Sequence, residues 1–502
     1  MTRKRAETSD ETSAQDVAAA PQAERPGART RTEQDLLGEA HIPADAYWGI
    51  HTLRAVENFP ITGVPIGRFP DFVRALVLVK AAAARANRRL GHLSAEKCAA
   101  IEKACDMIAR EGRLHDQFVV DAVQGGAGTS TNMNVNEVVA NLALETMGRA
   151  RGDYAALHPN DDVNRAQSTN DAYPTALRLA VIFATEPLVH ALNELAFAFK
   201  AKAVEFAGIL KIGRTQLQDA VPMTLGQEFD GFFATIKEDV SRLREAAALF
   251  REVNLGATAI GTGITSDPRY AALAVEELAR LSGQPMVPAA NLIEATSDMG
   301  AFVLFSGILK RIAVKLSKIC NDLRLLSSGP RAGLGEIRLP AAQAGSSIMP
   351  GKVNPVIPEV VNQVCFMVIG HDLTITLCAE GGQLQLNAFE PTIGYCLLSS
   401  LRHMTAAIET LNLRCVGGIE ANADHCLAQV ENSIGLITAL GPRLGYEAAS
   451  RIARRAHAEG RRVADLVREE GLLTGPELDD LLRIEVMTAP RASGRSVAAT
   501  AS

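Results

Sequence analysis

Four stretches of this chain gather small hydrogen-bonding side chains in a way that could hold an anion. Residues 124–134 read QGGAGTSTNMN, where glycines let a ligand approach the backbone and the hydroxyls of Thr129, Ser130 and Thr131 can donate to a carboxylate. Residues 167–171, QSTND, offer Ser168, Thr169 and Asn170, uncharged groups suited to a carboxylate or an amine, and they follow HPNDDVN at 158–164. Residues 213–219, GRTQLQD, offer Thr215 and Gln216 as ligand contacts, with Arg214 and Asp219 as a pair that would fix the turn. Residues 345–355, GSSIMPGKVNP, place Ser346 and Ser347 ahead of Lys352 and Asn354, with glycines that permit movement or unusual dihedrals. Lys352 supplies the fixed positive charge a carboxylate needs, and it favours the ionised form of a nearby serine. Each stretch alone also reads as a turn or a helix cap: Ser130 or Thr131 for one helix, Ser168 to Asp171 for the next. Four such stretches, each dense in donors, weaken that bland reading.

The elements that must position them are helical. Ala and Leu are abundant while aromatics make up only 5% of the 502 residues, a composition that favours helix packed on helix. Apolar periodicity predicts a helix over 73–89 and another after an N-cap at Ser94, through about 110. Five long helices are expected at 174–208, 222–252, 291–326, 356–382 and 388–415, an elongated bundle apolar enough to associate with its own copies. Shorter helices follow, and Thr474 opens a stretch with capping-type residues. Residues 1–32 lack hydrophobic periodicity and read as a disordered extension, as does the tail at 492–502.

Other function classes find little support. A net charge of −6 argues against nucleic-acid binding. The eight cysteines form no CxxC pair and read as reduced core thiols, so a cytoplasmic setting is expected. No stretch reaches the roughly 18 uninterrupted apolar residues of a membrane span. The basic Arg3-Lys4-Arg5 cluster has no apolar run after it, so it does not read as a secretory signal. No HExxH, nucleotide loop or Cys/His array suggests a metal or nucleotide.

The same four stretches resemble the aspartase/fumarase superfamily. GSSIMPGKVNP is its signature, and the likeness runs from about Thr32 to Met487 through EQDLLGEAHIPADAYWGIHTLRAVENF, GAGTSTNMNVNEV, GRTQLQDAVPMTLGQEF, VNLGATAIGTG and KICNDLRLLSSGPRAGLGEI. QSTNDAYPT, with Thr169, is similar to the aspartases, where class II fumarases usually carry serine; Gln216 also departs from the fumarase histidine. His158, in HPNDDVN, points the other way and marks a second-site candidate. The resemblance implies an all-α chain in three domains, at 33–171, 172–423 and 424–491. It implies a homotetramer built on a central helical bundle, with active sites shared between three subunits. The implied reaction is anti-elimination of ammonia from L-aspartate, a small dicarboxylate, to give fumarate. Ser346 would be the general base. Thr129, Ser168, Thr169 and Ser347 would bind the β-carboxylate, and Thr215, Gln216, Lys352 and Asn354 the α-carboxylate, with Asn170 near the amino group. No organic cofactor is implied, and activation by a divalent cation is left open. Elimination of water from malate, lyase action on a substituted aspartate, or a non-catalytic role like that of lens crystallins are the alternatives.

Overall fold

The computed structural model describes residues 29–345 and 348–490. Of the extension expected at 1–32, residues 1–28 lie outside the described residues, as do the tail at 492–502, Ser346 and Ser347, but Thr30–Thr32 are ordered in a strand by pairing with residues 41–43.

The chain is mostly helical, as expected, but not all-α. It opens with an antiparallel hairpin of β1 (Thr30–Asp35) and β2 (Gly38–Pro43). Helices α1 (Ile50–Asn58), α2 (Pro70–Arg89), α3 (Ala95–Ala109) and α4 (Thr129–Thr146) follow. Ser94 caps α3 as predicted, its Oγ accepting from the Lys97 N–H at 3.2 Å. Next come the long α5 (Thr169–Glu205), the hairpin β3 (Leu210–Thr215) and β4 (Gln218–Thr224), and α6 (Leu225–Ala247). A capping box starts α6, with Thr224 and Gln227 bonding each other's backbone N–H at 3.0 Å.

The rest is β5 (Glu252–Val253), α7 (Tyr270–Ser282), β6 (Val287–Pro288), α8 (Leu292–Ser297), α9 (Gly300–Leu326), β7 (Ile337–Arg338), α10 (Val356–Glu380), α11 (Glu390–Arg414) and β8 (Glu420–Ala421). Short helices complete the chain, from α12 (Ala423–Asn432) to residue 487. The five predicted long helices are present as α5, α6, α9, α10 and α11. Two stretches differ from the expectation. The link after α5 is a hairpin because Lys211, Arg214 and Asp219 find partners only from an extended strand, as described below. The start of the 291–326 stretch is a separate short helix, which ends at Asp298 with extended backbone (ψ 129°).

Contacts divide the chain into two compact units. The first holds the residues up to Ile182, Leu249–Gly300 and Ile375–Leu398. Here the Ala- and Val-rich α2 is buried almost all round and packs on α3 and α7. Helix α4 is buried all round too, yet carries Asn132, Asn134, Asn136, Glu137 and Asn141. Such polar groups are tolerated inside only with partners. Glu137 has four: it accepts from the Gly49, His51 and Thr52 N–H groups and from Thr52 Oγ1 at 2.6–3.2 Å, so it caps the start of α1.

The second unit holds Phe183–Ala248, Ala301–Thr374 and the chain from Ser399. Phe199 of α5 packs edge-on against Phe232 of α6, and Phe206, just past the end of α5, does the same against Phe229. Leu210 and Ile212 of β3 join a second core with Leu436, Leu440, Ile452 and Leu466. Helices α5 and α10 are long and apolar enough to cross a membrane by composition, but the apolar stretch of α5 is mostly buried within the protein. Helix α10 differs: Val360, Phe366, Met367, Leu373 and Leu377 are exposed along it.

Candidate active site

In the first unit the QSTND stretch becomes the start of α5. Ser168 is its cap: Ser168 Oγ accepts from the Asn170 N–H (3.2 Å), and Asp171 Oδ1 accepts from the Ser168 N–H (2.9 Å). The capping role and the ligand role are therefore compatible. The Ser168 hydroxyl uses a lone pair for the cap, which leaves its hydrogen free to be donated. Thr169 and Asn170 sit in the first turn, where unsatisfied N–H groups and the helix dipole favour negative charge. The helix begins at Thr169 rather than at Pro174. Pro174 sits inside it, and having no N–H it cannot bond the carbonyl of Asn170. Asn254 Nδ2 takes its place at 3.0 Å.

The glycine-rich stretch leads into α4, with Gly128 at the cap in the left-handed region (φ 90°). Any Cβ there would stand 2.3 Å from the Tyr173 ring of α5, so only glycine lets α4 start this close to α5. Thr129 is exposed, but its hydroxyl donates to the Gly126 carbonyl at 2.7 Å and must rotate to reach a ligand. Neither Ser130 nor Thr131 caps the helix. The side chain of Gln124 does that work, accepting from the Thr131 N–H at 2.8 Å.

Below these two helix starts lies Lys80 of α2, fully buried. Its Nζ donates to Asn132 Oδ1 (2.6 Å), Gln167 Oε1 (2.9 Å) and Asn164 Oδ1 (3.0 Å). Three acceptors match the three hydrogens of an ammonium and exceed the two of an amine. Burial works against that charge and pushes the lysine down to about 7, with Asp171 opposing. Asp171, equally buried, is pushed up to about 7, while the Thr258, Ser168 and Gly256 N–H groups pull it back. His158 is brought near neither helix start by any hydrogen bond. Its Nδ1 accepts from the Asn160 and Asp161 N–H groups, both at 3.2 Å, and so caps a π-helical turn at Pro159–Val163.

In the second unit Gln216 and Leu217 form the two-residue turn of the β3–β4 hairpin, both with positive φ (53° and 62°). That turn matches strand twist but usually selects Asn or Gly, so a Gln-Leu turn is held by its surroundings. Thr215 and Gln216 stand exposed at the tip. The expected Arg214–Asp219 pair is not formed. Although the two residues face each other across the hairpin, Arg214 turns to Glu336 (2.5 Å) and Gln429 (3.3 Å), and Asp219 accepts from Ser433 (2.8 Å). Glu336, fully buried, also holds Lys211 at 2.7 Å. A buried carboxylate demands this double pairing, and it outcompetes an exposed cross-strand pair. Lys352 and Asn354 line an open cleft of about 1430 Å³ with Arg324, Ser328, Arg338 and His425.

Several supporting residues were not singled out from the sequence. Lys80, Asn254 and Glu336 lie in helix, loop and turn outside the four stretches, and only their polarity inside apolar or glycine-rich runs could have marked them. All eight cysteines are free and seven are buried, as expected. Among the described residues no group of three or more His, Cys, Asp or Glu is placed to hold a metal ion.

Comparison with known proteins completes the picture. A family profile described as lyase matches residues 38–370, and one for the fumarase C C-terminus matches 436–489. The chain is 63% identical over 467 residues to an aspartate ammonia-lyase of Pseudomonas aeruginosa, covering 93% of this chain and 98% of that protein. It is 56% identical over 460 residues to the Escherichia coli K12 aspartate ammonia-lyase, covering 92% and 96%. A cobalt-bound fumarate lyase:delta crystallin of Brucella melitensis has a similar structure (TM-score 0.90, 60% identity, 92% of this chain and 100% of that one). So does a class II fumarase of Schistosoma mansoni (TM-score 0.86, 33% identity, 92% and 100%). The chain belongs to the fumarase/aspartase superfamily of lyases. Within it, the activity is that of an aspartate ammonia-lyase, which breaks a carbon–nitrogen bond.

Proposed function

We propose that Ser346 removes the C3 proton of L-aspartate and that neutral donors stabilise the carbanion as an aci-carboxylate. The reading rests on the organised start of α5, where Ser168 keeps a hydroxyl hydrogen in reserve at a positive helix end. A C–H beside a carboxylate is a very weak acid, so the doubly charged intermediate must be met by donors already in place. Ser168, Thr169, Thr129 and Ser347 take that part for the β-carboxylate. Thr215, Gln216, Lys352 and Asn354 hold the α-carboxylate, and Lys352 favours the ionised form of Ser346. Movement of the 345–355 loop would exclude water and strengthen each charge contact. Ammonia then leaves from C2, beside Asn170, and fumarate remains. No step needs an organic cofactor. Divalent-cation activation is a separate proposition, and His158 is a candidate for a second ligand site.

The same reading includes a homotetramer with sites shared between three subunits, and the three domains at 33–171, 172–423 and 424–491. The exposed apolar side of α10 supports the first of these, since a face of this size is normally covered. Eight unpaired cysteines fit a cytoplasmic enzyme. Ser346→Ala is the test of mechanism. It should abolish nearly all fumarate formation while the protein still binds substrate; a variant that stays active would show that the base is another group.

A further inference from the structure

Asn170 is held on every side but one. Its N–H goes to Ser168 Oγ (3.2 Å), its backbone carbonyl receives Asn254 Nδ2 (3.0 Å), and its own Nδ2 donates to the Ala259 carbonyl (2.7 Å). The last contact fixes the amide, because turning it over would set two oxygens against each other. Asn170 Oδ1 is left facing no hydrogen-bond donor among the described residues.

The turn that carries Ala259 is itself under tension. Thr258 has φ 54°, a conformation that β-branched residues rarely adopt, and Gly256 has φ 97° where any Cβ would stand 2.4 Å from the Ala271 side chain. One carboxylate holds this turn to α5. Asp171 Oδ2 accepts from the Gly256 N–H (3.1 Å) and the Thr258 N–H (2.9 Å), while its Oδ1 accepts from the Ser168 N–H (2.9 Å). Asn254 is oriented in turn, since its Nδ2 also donates to Thr296 Oγ1 (3.1 Å) and its Oδ1 receives Thr175 Oγ1 (3.4 Å).

We infer that Asp171 and Asn254 are positioning residues which, through the 256–259 turn, present Asn170 Oδ1 as a fixed acceptor to the nitrogen on C2 of the substrate. This rests on the proposed reading that places Asn170 near the amino group. An ammonium offers such an oxygen a charge-assisted hydrogen bond, and a dicarboxylate with neither nitrogen nor hydroxyl on C2 offers it nothing.

The difference sets the experiment. Asp171→Asn and Asn254→Ala are compared with the unmodified enzyme for turnover of L-aspartate and for competitive inhibition by succinate, which has the two carboxylates and no nitrogen. Thermal melting identifies the variants that fold. The expected result is a loss of about tenfold to a hundredfold in kcat/KM for aspartate in both variants, the range for one hydrogen bond to a charged group, with the succinate inhibition constant unchanged in Asn254→Ala, which leaves the Asp171 contact to Ser168 intact. Because Asp171 is buried, Asn254→Ala decides the matter if Asp171→Asn does not fold. Parallel weakening of aspartate and succinate in Asn254→Ala would reduce the network to general scaffolding and overturn the inference; unchanged aspartate kinetics would overturn it too. An unmodified enzyme with no activity on aspartate would instead sink the underlying reading.

Discussion

Lys80 Nζ lies 2.6 Å from Asn132 Oδ1, and this contact ties the core helix α2 to the first turn of α4, three residues from Thr129. The same ammonium reaches Asn164 and Gln167, which lead directly to Ser168. One buried side chain thus ties together the starts of α4 and α5. Lys80→Met should leave the amide oxygens of Asn132 and Gln167 without a donor, since Asn164 Oδ1 keeps the Asn132 amide at 3.1 Å, and cost on the order of 2 kcal/mol or more. Activity should fall with stability, seen as a lower melting temperature and a lower kcat/KM for aspartate. A variant that melts normally and turns over normally would remove Lys80 from the account.

Helix α10 leaves Phe366 and Leu373 exposed on a run apolar enough to resemble a membrane span. Covered by a second copy, they would be core residues; a charge there would cost several kcal/mol unless the copies separate. Phe366→Glu with Leu373→Glu should shift the sedimentation coefficient to a smaller species and abolish turnover together, because shared sites need neighbours. Normal activity in a dissociated protein would contradict shared sites.

Glu390 opens α11 fully buried, and neither of its carboxyl oxygens has a hydrogen-bond partner among the described residues. Burial raises it from 4.5 to about 8, with Arg178 opposing. The folded state therefore binds this proton more tightly than the unfolded chain does. Its contribution to stability is complete below the ordinary carboxylate range and is lost as pH rises through about 8. Glu390→Gln, which imitates the protonated form, should flatten the fall in melting temperature between about pH 5 and about pH 9. Identical pH profiles for the two proteins would assign the slope to other groups.

Much of this was legible in the residues themselves. Ala- and Leu-rich periodicity was enough for α5, α10 and α11, and Ser94 and Thr474 announced their caps by residue type, the latter bonding the Glu477 N–H. The 209–224 stretch was harder. Its alternation is short, and Glu336, which draws Lys211 and Arg214 into an extended strand, comes over a hundred residues later. Long-range pairing of this kind leaves no local trace. The four candidate stretches stand out in the sequence because glycine and hydroxyl residues cluster there, whereas Asn254, which replaces the hydrogen bond that Pro174 cannot make, is one polar residue among apolar neighbours. The turn of Thr129 towards Gly126 is likewise a rotamer, which sequence does not encode.

The most direct measurement of the central claim is fumarate formation, followed by its absorbance, when the purified protein is given L-aspartate or L-malate. Fumarate from aspartate, with ammonia released in equal amount and little or no turnover of malate, is the predicted result. Turnover of malate with no signal from aspartate would contradict it.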